Sequence, residues 1–389
     1  MARLRGITWD HPRGLAPMLA TAAEFEQRHP DVRIGWEARS LQAFGDQPIE
    51  DLAEQYDLLV VDHPFTGVAA RSGCLVALDT YLPAAFLAEQ AAHSVGGSHE
   101  SYQYNGHQWA LAIDAAAQVS AYRSDLLRRH DQEIPRTWDE VLALARRSRS
   151  ARVAVPLSPV NAICCFLSLC AGHGDPPGTD HTRLADRHVG AHALGILRHL
   201  VEDGHPAMLA LDPPRTLDLM ATTDEVLYCP LLFGYSNYSR PGYAPRLCRF
   251  THIPSAEPDH PPAGAILGGT GLAISSRCRA INEACRYARW VASPGCQRTI
   301  YVQSGGQPGN RVAWTDPTVN AATDDFFLNT LATLDRSYLR PRYDGFIAFQ
   351  DQAGVVLHDY LRTGVDQRTV LDRLDRLYVG SRTTPVPAP

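Results

Sequence analysis

Lysine is absent from this 389-residue chain; all 36 of its basic residues are arginine. That absence removes whole classes of chemistry. A Walker A phosphate loop needs its lysine, and Schiff-base or pyridoxal phosphate enzymes need a lysine amine. Long apolar runs are missing too: no stretch approaches the roughly 20 residues that span a bilayer, so no membrane insertion is expected. A net charge of −6 with no basic run makes a poor partner for nucleic acid. The nine cysteines form no C-x-x-C pair, and most stand in apolar surroundings, as Cys164 and Cys165 do between Ile163 and Phe166. They read as buried free thiols, which suit a reducing compartment. None closes a predicted strand beside a His or Arg, as an activated thiolate requires. Neither a cofactor nor a bound metal is expected.

What remains is an ordinary globular composition, 45% hydrophobic and 20% charged, at a length suited to roughly two domains. The first apolar run ends in Asp10-His11-Pro12-Arg13, and the run from Asp57 to Val61 ends in Asp62-His63-Pro64. Each tripeptide closes a predicted strand and leads into a predicted helix. In a doubly wound α/β fold such strand ends are where ligands bind. The first strand is predicted to begin near residue 4, which leaves no room for a signal peptide. A cytoplasmic location is therefore expected, or a periplasmic one if a signal has been removed.

Strand and helix alternate through the first hundred residues. Leu4 to Trp9 reads as a strand, residues 15–25 as a helix stopped at His29-Pro30, and Val32, Ile34, Trp36 and Ala38 as an alternating strand. Pro48 to Gln55 reads as a short helix and Leu58 to Val61 as a buried strand. This order predicts a parallel sheet with right-handed crossovers. Asn105-Gly106 between aromatic residues is a hairpin signal. Gln118 to Arg123 follows as a strand that crosses to a second lobe. Thr137 with Glu140 three residues on is a capping box that opens a helix. Helical sequence runs to about Met220, then Glu225 to Phe233 reads as a strand. After a Pro-rich stretch, residues 265–275 form an apolar strand interrupted by Gly268-Gly269-Thr270-Gly271. Helical sequence returns from Asn282 to Ser293 and again after Asp316, and residues 383–389 read as disordered.

Seven segments carry a family likeness: FE at 25–26 before HP at 29–30, YDLLV at 56–60, GCLVALD at 73–79, PRTWDEV at 135–141, GGTGLAI at 268–274, WVASP at 290–294 and GGQP at 305–308. In order and spacing the chain resembles the bacterial extracellular solute-binding proteins, specifically the sugar-binding group that serves ABC transporters. The resemblance implies an α/β, two-lobed, type II periplasmic-binding-protein fold, hinged and closing on a small-molecule ligand in its cleft. Lobe one would comprise residues 1–115 and 265–315, and lobe two residues 116–264 and 316–389. An ABC permease would be a partner only of an exported chain, and a monomer is expected. The chain departs from the family in lacking an export signal and in carrying acid–imidazole pairs where sugar binders more often present aromatic and amide groups.

Two functions stay open on these residues. One is binding of a small polar ligand, carboxylated or hydroxylated. The other is a cytoplasmic hydrolase, lyase or isomerase with Asp10 and His11, or Asp62 and His63, as general acid and base. The competing reading of both pairs is structural, with Asp10 and Asp62 capping the helices that follow. Adjacent residues on a strand point to opposite faces, so His11 and His63 are not both expected at a site. Arg13 and Arg39 offer forks to a substrate carboxylate, or are solvated surface arginines. Asp114 ends an apolar run and lines the cleft in the family, or else holds the hinge. Trp9, Tyr235 and Asn237 supply aromatic and amide groups for recognition, or pack their loops. Asn161 is a further candidate. Gly269 and Thr270 lie inside a strand, so the dinucleotide fingerprint does not apply; close approach of backbone to ligand or hinge is expected there.

Overall fold

A computed structural model describes residues 1–383. Of the tail expected to be disordered, residues 384–389 lie outside the described residues, while Thr383 ends a helix that starts at Gln367. Ten strands occur among the described residues: β1 (Ala2–Trp9), β2 (Val32–Arg39), β3 (Leu58–Val61), β4 (Gln103–Tyr104), β5 (His107–Gln108), β6 (Leu111–Tyr122), β7 (Arg152–Val153), β8 (Val226–Phe233), β9 (Arg249–Thr251) and β10 (Leu267–Ile274). They divide between two compact units. The first is Met1–Ala116 with Gly268–Ala321 and the short return Arg342–Asp344; the second is Ala117–Leu267 with Ala322–Pro341 and the chain from Gly345 on.

In the first unit the strand order is β2-β1-β3-β10-β6. β1 runs parallel to β2 along its whole length, from Ala2 opposite Val32 to Trp9 opposite Arg39, and parallel to β3 at Gly6 and Ile7. The periodicities explain this arrangement. β3 is buried on both faces, as its continuous apolar run demands, whereas β2 alternates buried with exposed residues over Val32–Trp36, as an edge strand with one wet face does. β10 departs from the expected parallel order and lies antiparallel on β3, Gly271 opposite Val61 and Ile274 opposite Leu58. It re-enters the unit after the long second-unit excursion, so no β-helix-β crossover constrains its direction. Helix α1 (Pro12–Arg28) packs on β1 and β2. Phe25, Leu58, Ile113, Leu272 and Tyr287 belong to one apolar cluster on this sheet.

Residues 103–108 form the expected hairpin. Asn105 and Gly106 both take positive φ, 50° and 80°, the pair of left-handed residues that a two-residue turn of matching twist requires. The second unit arranges β6 next to β8 and β8 next to β7, with β9 also on β6. Its long helices Pro159–Gly172, Arg187–Asp203 and Phe346–Thr363 pack on one another. The capping box is formed as predicted: Glu140 N donates to Thr137 Oγ1 at 3.3 Å and Thr137 N to Glu140 Oε2 at 3.4 Å, opening the helix Trp138–Arg147. No helix among the described residues is long and apolar enough to cross a membrane.

Candidate functional site

Because β2, β1 and β3 lie side by side and parallel, their carboxyl ends share one edge of the first unit. That edge carries Arg39, the Asp10-His11 pair and the Asp62-His63 pair. The amide of Asp10 donates to the carbonyl of Arg39 at 2.7 Å, tying the first two loops together. Asp10 itself is exposed. The residue that caps α1 is His11 and not Asp10, contrary to the structural reading of the sequence: its Nδ1 accepts from Arg13 N at 3.0 Å, with Pro12 in the first turn. Proline has no amide to offer, so the cap reaches the next one along. Burial and the neighbouring Arg13 charge lower the His11 pKa to about 4, so the ring is neutral near pH 7 with its Nδ1 lone pair engaged.

At the second tripeptide the expected cap is formed. Asp62 Oδ1 accepts from His63 N at 2.8 Å and starts the turn His63–Phe65. The same oxygen lies 3.0 Å from His63 Nδ1. Asp62 is partly exposed, but His63 is 0% exposed and stands edge-on to Tyr102, with 6.4 Å between the ring centroids. Of the two imidazoles, His63 is wholly buried and His11 partly so.

Arg13 and Asp114, both expected to meet a ligand, meet each other. Arg13 Nε donates to Asp114 Oδ2 at 2.9 Å and Nη2 to Oδ1 at 2.5 Å, with both side chains buried. The expected fork on a carboxylate is thus formed, but on the protein's own carboxylate. Arg39 differs. Its side chain is 8% exposed; Nη1 donates to the Ala43 carbonyl at 3.2 Å, and Nε and Nη2 have no acceptor among the described residues. Its guanidinium lies over the Phe44 ring at 5.2 Å, and that ring is 5.3 Å from Trp9. Burial lowers the Arg39 pKa to about 10, so the group keeps its charge at neutral pH.

Trp9 is nearly fully buried, and Gly14 is what makes room for it: a Cβ there would fall 2.4 Å from the indole. On β10, Gly269 has φ +101°, and an added Cβ would sit 2.4 Å from the Asp114 carbonyl oxygen. The close backbone approach expected at this glycine is therefore to the neighbouring strand. Thr270 is buried, and its Oγ1 has no hydrogen-bond partner among the described residues. In the second unit, Asn161 sits in the first turn of the helix Pro159–Gly172, its amide donating to Ser158 Oγ at 2.8 Å. Tyr235 and Asn237 are buried at the turn Ser236–Ser239 that follows β8.

Sequence reasoning missed Phe44, Gln307 and Tyr102. Phe44 belongs to the six-residue helix Leu41–Asp46, whose only local signal is Ser40 as its N-cap, accepting from Ala43 N at 3.1 Å. Gln307 donates from Nε2 to the Ala115 carbonyl at 2.8 Å, and the Tyr102 hydroxyl donates to Val61 O at 3.1 Å. Neither contact leaves any trace in local spacing. Among the described residues no group of three or more His, Cys, Asp or Glu is placed to hold a metal ion.

The family model for bacterial extracellular solute-binding proteins matches residues 9–160, the span that contains all three strand-end loops. No curated protein sequence matches the chain. Solved structures match it over nearly its full length. An ABC transporter solute-binding protein from Agrobacterium radiobacter K84, in complex with ribitol, is 20% identical with a TM-score of 0.83, covering 97% of this chain and 98% of that one. Maltose-bound MalE3 of T. maritima is 17% identical with a TM-score of 0.83, covering 97% and 99%. The GacH receptor of Streptomyces glaucescens is 14% identical with a TM-score of 0.80, covering 98% of each chain. At these identities the structural likeness carries the fold, which is the two-lobed periplasmic-binding-protein fold. Residues 9–160 are thus similar in sequence to the bacterial extracellular solute-binding proteins, and the fold over nearly the whole chain is that of the two-lobed periplasmic-binding proteins.

Proposed function

We propose that the protein binds a small hydroxylated ligand and releases it unchanged. The strand-end edge of the first unit supplies Asp10, Arg39 and Asp62, with Thr270 on the same sheet. The observation that carries this reading is the state of the two imidazoles. His11 spends its Nδ1 on the helix cap, and His63 is wholly buried beside Asp62. A general base must reach the proton it takes, and neither ring presents a free basic nitrogen at an exposed position. What the edge offers instead is carboxylates and a guanidinium, groups that orient hydroxyls by charge-assisted hydrogen bonds. The ribitol and maltose held by proteins of like fold favour a polyol or saccharide as the hydroxylated part.

The nine thiols, none of them in a disulfide, support a reducing compartment as the place where the chain folds. Titration calorimetry against polyols, monosaccharides and short oligosaccharides, followed by NMR of the recovered compound, tests the function. One-to-one binding with the compound intact is expected, and Asp62→Asn should weaken it roughly tenfold or more, as loss of a charged hydrogen bond of about 1.5–3 kcal/mol implies. Catalytic consumption of the compound, abolished in His63→Ala, would refute the reading.

A further inference from the structure

We infer that the ligand carries an oxyanion, a carboxylate or a phosphate, and that the Nε–Nη2 edge of Arg39 is the fork that receives it. The inference rests on the binding reading above and names the chemical class of its ligand. The same chain shows what this edge does when it is filled: Arg13 gives Nε and Nη2 to the two oxygens of Asp114. In Arg39 the same two nitrogens are buried and have no acceptor among the described residues. Only Nη1 is engaged, by the Ala43 carbonyl, and the face of the guanidinium is taken by Phe44.

A buried guanidinium with its bidentate edge unmet is a costly element to leave in a fold, because its lost hydration is not replaced. The most deeply buried structural arginine is not left so. Arg123, 0% exposed, meets Asp125, Asp224 and the carbonyls of Met220 and Thr223. Arg39 also stands at the carboxyl end of β2, on the edge where the neighbouring strands present Asp10 and Asp62. The element that covers it is a helix of six residues, too short to be stable by itself. An oxyanion that presents two oxygens along one edge is the partner whose geometry fits two parallel N–H bonds. Hydroxyls of the same ligand then fall to Asp10 and Asp62. A sugar acid or a sugar phosphate matches both halves of that edge better than a neutral sugar does.

The test uses the full chain and a panel of hexoses, each with its hexuronate and its 6-phosphate, read by calorimetry and thermal shift. The expected result is that one acidic member of a set binds at least tenfold more tightly than the neutral hexose. Arg39→Met should remove that preference, and Arg39→Lys, which keeps the charge without the fork, should reduce it. Uronate and phosphate arms separate the two sources of the oxyanion. Equal affinity for neutral and acidic members, or an acid preference that survives in Arg39→Met, overturns the inference and leaves the binding function standing. Failure of every member to bind counts instead against the binding reading itself. The unliganded stability of Arg39→Met then decides the role of the arginine: a melting temperature equal to or above that of the parent supports a group held for a ligand. A clear loss marks Arg39 as structural and overturns the inference.

Discussion

Two arginines near one sheet edge show how context sets the meaning of a side chain. Arg13 is neutralised by a carboxylate 101 positions away in the chain, so its charge serves the first unit's interior; Arg39 keeps its best donors unspent. His11 repeats the lesson at the scale of one proton. Unfolded, its imidazole titrates near the ordinary value of about 6.5; folded, burial and Arg13 hold it at about 4. Between those values the unfolded chain takes up a proton that the native chain refuses. Stability from this residue is thus fully present above about pH 6.5 and is lost as pH falls toward 4, by about 2–3 kcal/mol at pH 4.5. His11→Asn keeps a capping acceptor and removes the titration. Urea midpoints at pH 7.5 and 4.5 should therefore diverge less in the variant than in the parent. Equal pH slopes for the two proteins would show that His11 does not titrate as the cap geometry requires.

At the scale of elements, what could be read from the sequence was whatever is written in local spacing. The alternation in β2, the apolar run of β3, the Asn105-Gly106 turn and the Thr137–Glu140 box each encode their own conformation within a few residues, and each is formed. The helix Leu41–Asp46 was not legible, because six residues hold too little periodicity to register. β6 begins at Leu111 and not at Gln118; its first half lacks the strict alternation of apolar and polar residues that marks a strand with one wet face. The Arg13–Asp114 pairing was not legible at all, since nothing local links positions a hundred residues apart. Gly269 lies between these cases. An interrupted strand signalled a close approach, but only the fold reveals that the neighbour is the Asp114 carbonyl. Gly269→Ala forces both a positive φ on an L-residue and a contact of 2.4 Å, so it should destabilise the protein by about 2–4 kcal/mol. Chemical denaturation measures this directly. A cost within about 0.5 kcal/mol, the range of an ordinary surface substitution, would mean that β10 and β6 do not approach as described.

Across the whole molecule, the nine cysteines join fold and stability. Eight are buried and Cys74 is partly so. Burial pushes the Cys248, Cys278 and Cys296 thiols to about 12 and Cys285 to about 11, so the folded protein holds them unreactive as well as hidden. The unfolded chain has no such protection, since there all nine thiols are accessible. Oxidation is therefore a hazard of the open chain more than of the folded one. The same difference turns the thiols into reporters of opening. Cys74, Cys278, Cys285 and Cys296 belong to the first unit, and Cys164, Cys165, Cys170, Cys229 and Cys248 to the second. A thiol reagent should label at most Cys74 in the native protein and all nine in strong denaturant. Each unit has its own core, and compact units of this kind open cooperatively. At intermediate denaturant, peptide mapping should therefore find the second unit's five cysteines labelled together, separately from Cys278, Cys285 and Cys296. Rapid labelling of two or more thiols without denaturant would contradict the burial of the eight.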